Sequence, residues 1–177
     1  MNLADLHCAV EDICGKKIEV LEVWFEGHHL RGKTERFKDN KARVLIRSKQ
    51  ADDEKRLAVV KELSHILLDG DQDASTDGVE TIRGLLQEWH LVRGNGIGHI
   101  DPTKPLVSEV MAHVAALELL YSDEYREADI EKLGDDRKTL KQIALEHEIP
   151  AYAVQQALDQ HKDLKDFWDE IRRGSTS

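Results

Sequence analysis

The chain has 177 residues, 40% of them hydrophobic and 34% charged, with a formal net charge of -10. That length suits one domain, or one domain with a small appendage, and is enough to bury a real core. Such acidity argues against broad electrostatic binding to nucleic acid or an anionic membrane, because phosphate contacts need a basic surface.

No apolar run approaches the roughly 18 residues of a membrane span. The start, MNLADLHCAVEDIC, lacks the basic opening and continuous apolar stretch of a signal peptide. Cys8 and Cys14 fit neither C-x-x-C nor zinc-knuckle spacing and read as two buried thiols of a cytoplasmic protein.

Residues 2–14 place Leu3, Leu6, Val10 and Ile13 at helical spacing, with Asn2 as cap and Gly15 as stop. Lys17–Phe25 alternates apolar and charged residues and reads as a strand. Gly27 and Gly32 bracket HHLR, a turn or a second short strand, and Lys41–Arg47 is a further strand. Connections this short predict a small antiparallel sheet within residues 17–48.

From Ala51 the period changes. Asp52 or Asp53 can cap a helix that runs to about Asp69. Residues 69–78 form a polar loop, whose D-x-D pattern lacks the twelve-residue frame of a calcium site. Val79–Val92 reads as a helix and Arg93–Pro105 as a loop. Leu106–Leu120 is a second strongly apolar helix, and Asp123–Leu133 is a charged helix ended by Gly134. Arg137–His161 splits into two short helices near Ile149–Pro150, and Leu164–Arg173 is a last amphipathic helix before a disordered GSTS tail. The order is that of an α+β fold with a helical C-terminal half. It divides into residues 1–136, a helical segment over 137–173 packed on them, and the tail 174–177.

The chemistry concentrates in LAVVKELSHILLD, Leu57–Asp69. Lys61 and His65 are one helical turn apart on the same face, and Glu62 is beside Lys61. With histidine at 61 this would be H-E-x-x-H, in which two imidazoles hold zinc and the glutamate is general base. An ammonium has no lone pair for a metal. It fits better as a cation in the metal's own space, bridging His65 and Glu109, with Glu62 able to pair with it. The second apolar helix carries Glu109 and His113 one turn apart, and ionisable groups in two core helices call for mutual partners.

These stretches resemble the ImmA/IrrE family of zinc metallopeptidase-like proteins. That family has an N-terminal helix, a small sheet, a helix of the pattern FTLAHELGHLLLH and a later one of the pattern E-x-x-A-x-x-x-A-x-x-LL-x-P. Here the first is RLAVVKELSHILLD (Arg56–Asp69). The second is SEVMAHVAALELLYSDEYR (Ser108–Arg126), with Glu109, Ala112, Ala116, Leu119 and Leu120 in place. LKQIALEHEIPAYAVQQAL (Leu140–Leu158) resembles the family's closing helices.

The resemblance implies a zincin-like fold, with the small sheet packed on the motif helix. It places the general base on Glu62, one metal histidine on His65 and the acidic ligand on Glu109, with His113 as its alternative. The first histidine falls on Lys61. His28, His29, His90 and His99 are surface or core histidines before they are substitute ligands.

Two functions follow as expectations. One is a zinc-dependent endopeptidase acting on a repressor-like regulatory protein. The other is a non-catalytic pseudo-peptidase, a protein-binding regulatory module of a phage or mobile element. Lys61 weighs toward zinc being absent or weakly held. Residues 137–161 have helix-turn-helix spacing, but their charges cancel and AYAVQQALDQH offers phosphates no cation, so nucleic acid is not an expected partner.

Overall fold

The computed structural model describes residues 2–25, 31–69, 105–134, 137–162 and 165. The expected helix over 79–92, that over 164–173 apart from Lys165, the loops 70–78 and 93–104, the tail, and His28, His29, His90 and His99 lie outside the described residues.

Helix α1 spans Leu3–Cys14. The Asn2 side chain accepts the Ala4 N–H at 3.0 Å, and Gly15, at φ +66°, closes the last turn by donating its N–H to the Glu11 carbonyl. Strands β1 (Lys17–Val23), β2 (Gly32–Phe37) and β3 (Lys41–Arg47) form one sheet in the order β1-β3-β2.

The sheet is mixed rather than antiparallel: β2 pairs antiparallel with β3, but β1 pairs parallel with it. Burial explains the order. β3 carries three buried side chains, Ala42, Val44 and Ile46, and takes the centre. A tight turn, with Asn40 at φ 56°, fixes β2 beside β3 as a hairpin. β1 is then left the far edge of β3, where it runs parallel. Among the described residues the second strand is GKTERF; of the HHLR stretch before it, only Arg31 is described.

Helix α2 runs from Asp52 to Leu68. Ala51 is its N-cap and makes no side-chain cap bond; Asp52, Asp53 and Glu54 lie inside the first turn, where their charges suit the helix dipole. The helix is apolar on opposite sides because it lies between two cores. Ala58, Leu63 and Ile66 pack with Val10 of α1 and with the sheet residues Ile18, Ala42, Val44 and Ile46. Leu57 and Val60 pack on the other side.

That second core draws on α3 (Pro105–Leu120), α5 (Leu140–His147) and α6 (Ala151–Asp159). Between them, α4 spans Asp123–Gly134 and is tied in by two buried ions. Arg126 reaches Glu118 at 2.7 Å and the Tyr121 carbonyl at 2.6 Å, and Asp129 meets His147 of α5 at 3.0 Å. Thr139 and Gln142 form a reciprocal capping box at the start of α5. Thr139→Ala is expected to cost about 1 kcal/mol in a denaturant melt. Among the described residues no helix is long and apolar enough to cross a membrane.

Candidate functional site

The motif side chains of α2 meet α3 on one side and β2 on the other. The Lys61 Nζ lies 2.5 Å from Glu109 Oε2 and 3.8 Å from Glu62 Oε1. The His65 Nε2 lies 3.3 Å from Glu109 Oε1. That contact is off the line of a hydrogen bond, and Nε2 makes no hydrogen bond within the described structure. Glu109 therefore stands between Lys61 and His65, one oxygen toward each. His113, one turn further along α3, bonds Gln156 of α6 at 3.2 Å instead.

The other nitrogen of His65 is held firmly. Nδ1 donates to Asp69 Oδ2 at 2.8 Å, and the Ser108 hydroxyl donates to Asp69 Oδ1 at 2.6 Å. Ser108 Oγ is also 3.1 Å from Nδ1. Asp69 is one turn beyond His65, so the same spacing that joins 61 to 65 joins 65 to 69. Serine and aspartate share one ring nitrogen here. A nucleophilic triad needs them on opposite nitrogens, so the trio orients the imidazole and does not activate Ser108.

Strand β2 supplies the remaining contacts through its alternate residues Gly32, Thr34 and Arg36. Thr34 Oγ1 donates to Glu62 Oε2 at 2.9 Å. Arg36 donates to the His65 carbonyl at 2.7 Å and lies 3.8 Å from Asp69. At Gly32 a Cβ would sit 3.0 Å from Glu62 Cγ, 3.1 Å from its Oε1 and 3.1 Å from Ile46 Cδ1. Gly32→Ala is expected to push the Glu62 carboxylate from its seat and cost about 1–3 kcal/mol, read as a shift in denaturant midpoint. None of Gly32, Thr34 and Arg36 is named by the motif, because a polar strand gives no apolar pattern to read.

Electrostatics follow from this packing. Burial alone would lower the Lys61 pKa, but the charges of Glu62 and Glu109 outweigh it and hold the ammonium above its ordinary value. Burial raises Glu62, with Lys61 and His65 opposing. For Glu109 burial again raises, but His65 and Lys61 prevail and bring it down to about 2. Burial opposes charge on His65 too, yet the bond to Asp69 and the carboxylate of Glu109 push it up to about 9. Asp69 is lowered overall, the bonds from His65 and Ser108 outweighing its burial. His113, by contrast, is lowered chiefly by burial.

The comparisons with known proteins leave the chain to its own geometry: no family model and no curated protein matches it.

Zinc, which the resemblance implies, can be tested against the donors. A catalytic zinc takes three protein ligands and leaves a fourth position open. Two candidates converge here, His65 Nε2 and Glu109. The third corner holds the Lys61 ammonium, in contact with Glu109 and near Glu62. His65 has a carboxylate on each nitrogen, Asp69 at 2.8 Å and Glu109 at 3.3 Å, surroundings that favour the imidazolium, a form with no lone pair for a metal. The residues as arranged do not fit the metal, and no catalytic step is derived through it.

One other group among the described residues has metal-like spacing, Asp123, Glu127 and His161. Lys165 already pairs with Glu127 and lies 3.8 Å from Asp123, so that cluster too is neutralised from within.

Proposed function

We propose that this chain is a non-catalytic, metal-independent relative of the ImmA/IrrE-type peptidases. In this reading it binds a repressor-like regulatory protein or peptide in the cytoplasm, as part of a phage or mobile element. The observation that carries it is the Lys61 ammonium, 2.5 Å from Glu109 and 3.8 Å from Glu62. An internal cation there satisfies the two acids that a metallopeptidase would turn toward its metal and its water. The acidic net charge favours a protein partner over nucleic acid.

A second reading, an active metallo-endopeptidase on a regulatory protein, draws support from one atom. The His65 Nε2 is buried without a hydrogen bond while Nδ1 is oriented by a carboxylate, as in many metal-bound histidines. In that reading Lys61 swings out, Glu109 or His113 joins His65 on the metal, and Glu62 serves as base.

Metal analysis of untagged protein separates the two. The expected result is no zinc in the natural chain and about one per chain in Lys61→His, which gives the site a third ligand. Stoichiometric zinc in the natural chain, lost in His65→Ala, would overturn the metal-independent reading.

A further inference from the structure

We propose that Lys61 Nζ and His65 Nε2 together form a receptor for a carboxylate carried by the bound partner, a place that Glu109 fills in the free chain. The inference rests on the protein-binding reading above and names the group recognised. An unmet atom points to it. The His65 side chain is 8% exposed, and its Nε2 is buried without a hydrogen bond among the described residues. Glu109 Oε1 stands 3.3 Å off and out of line, so the internal carboxylate serves Lys61 and leaves His65 unserved. A buried polar atom is rarely left so, and one beside a half-exposed acid is a place for an incoming group.

The neighbours decide what that group is. It must accept hydrogen bonds, because the Lys61 ammonium beside it has donors and no lone pair. Lys61 and His65 each face a different oxygen of Glu109, which is the spacing of a single carboxylate. Of the acids here, Glu62 and Asp69 are nearly buried and are fixed by bonds from Thr34 and Ser108. Glu109 is 38% exposed and is the acid placed to turn into water. Among the described residues Lys61, Arg36 and the imidazolium favoured by Asp69 then face Glu62 and Asp69, three cations against two acids. Arg31 and Glu54, 3.7 Å apart, cancel each other. One carboxylate from outside restores the balance, with an oxygen in line with each donor. His113 does not compete, being turned to Gln156.

Nitrogen NMR of the histidine side chains in the full chain tests this, with acetate as the probe and acetamide as its uncharged counterpart. Ionic strength is held constant with chloride. In Glu109→Ala acetate should shift the His65 Nε2 resonance saturably, and acetamide should leave it unmoved. In the natural chain the same shift should need at least about tenfold more acetate, since Glu109 holds the place for most of the time. Adding Lys61→Met to Glu109→Ala should abolish the response while the circular dichroism spectrum stays natural. Two blocked peptides separate the sources of the group: acetylated Ala-Ala-Ala with a free C-terminus, and acetylated Ala-Glu-Ala amide. Whichever displaces acetate from the natural chain at lower concentration carries the recognised carboxylate. A natural chain in which none of these carboxylates moves His65 up to about 200 mM, the weak end for so small a ligand, overturns the proposal. So does an equal response to acetamide, or one that survives Lys61→Met. Zinc in the natural chain would sink the metal-independent reading by itself, whereas a zinc-free chain blind to carboxylates sinks this inference alone.

Discussion

Lys61→Met is expected to destabilise the protein by about 2–4 kcal/mol at neutral pH. Removing one member of a buried ion pair costs about 3–5 kcal/mol, because the other is left charged in a poor solvent. Two facts adjust that figure in opposite directions. The Glu109 side chain is 38% exposed, so water takes over part of the lost interaction. Glu62 is 6% exposed and, among the described residues, keeps only Thr34 as a side-chain hydrogen-bond donor, so little water can help it. Methionine keeps the length and much of the packing of the lysine stem, which isolates the charge. Glu109→Gln in the same chain should recover part of the loss, and a double-mutant cycle in urea would measure the coupling. A Lys61→Met protein with an unchanged midpoint would mean that the ammonium is not what holds these acids together.

The parts of this architecture legible in the sequence are those in which burial leaves a period. β3 alternates Ala42, Val44 and Ile46 between longer, wetter neighbours, and its limits are readable from that alone. α1 announces itself at both ends through Asn2 and Gly15. The central place of α2 is legible too, because a helix apolar on two sides must be covered on two sides.

β2 is different. Its residues are Gly, Lys, Thr, Glu, Arg and Phe, and none is buried, since its task is to present Thr34 and Arg36 to polar atoms of α2. Nothing apolar marks it, and with β2 misplaced the pairing of β1 with β3 cannot be deduced. The meeting of Lys61 with Glu109 was readable from two ionisable residues on two apolar helices. The one-turn ambiguity between Glu109 and His113 was not, because it depends on Gln156, which sits on a helix far along the chain and offers His113 another partner. His65 with Asp69 could have been found: the spacing of four that draws attention to 61 and 65 recurs once more.

The pH dependence of stability gives the second large effect, and it falls on the alkaline side. In the folded chain the His65 pKa stands at about 9 against an ordinary 6.5. A group raised on folding binds its proton more tightly in the native state, so its stabilisation is complete below about pH 6.5 and is lost as the pH climbs through about 9. At about 1.4 kcal/mol per pKa unit, the loss is about 3 kcal/mol. Glu109 acts in the other direction. It is held at about 2 against 4.5, so its contribution is present above pH 4.5 and disappears only in strong acid. Glu62, raised by burial, loses stability in the same sense as His65 when the pH climbs, so the share of His65 is read from His65→Gln.

Denaturant midpoints between about pH 6 and pH 10 should therefore fall through the upper half of that range, and His65→Gln should flatten the fall. A natural chain whose midpoint is level from pH 6.5 to 9 would mean that His65 is neutral in the fold. The result bears on metal as well as on stability. A proton on His65 occupies the lone pair a metal needs, so the steeper the alkaline limb, the more deprotonation costs a zinc ion before it meets the further obstacle of Lys61.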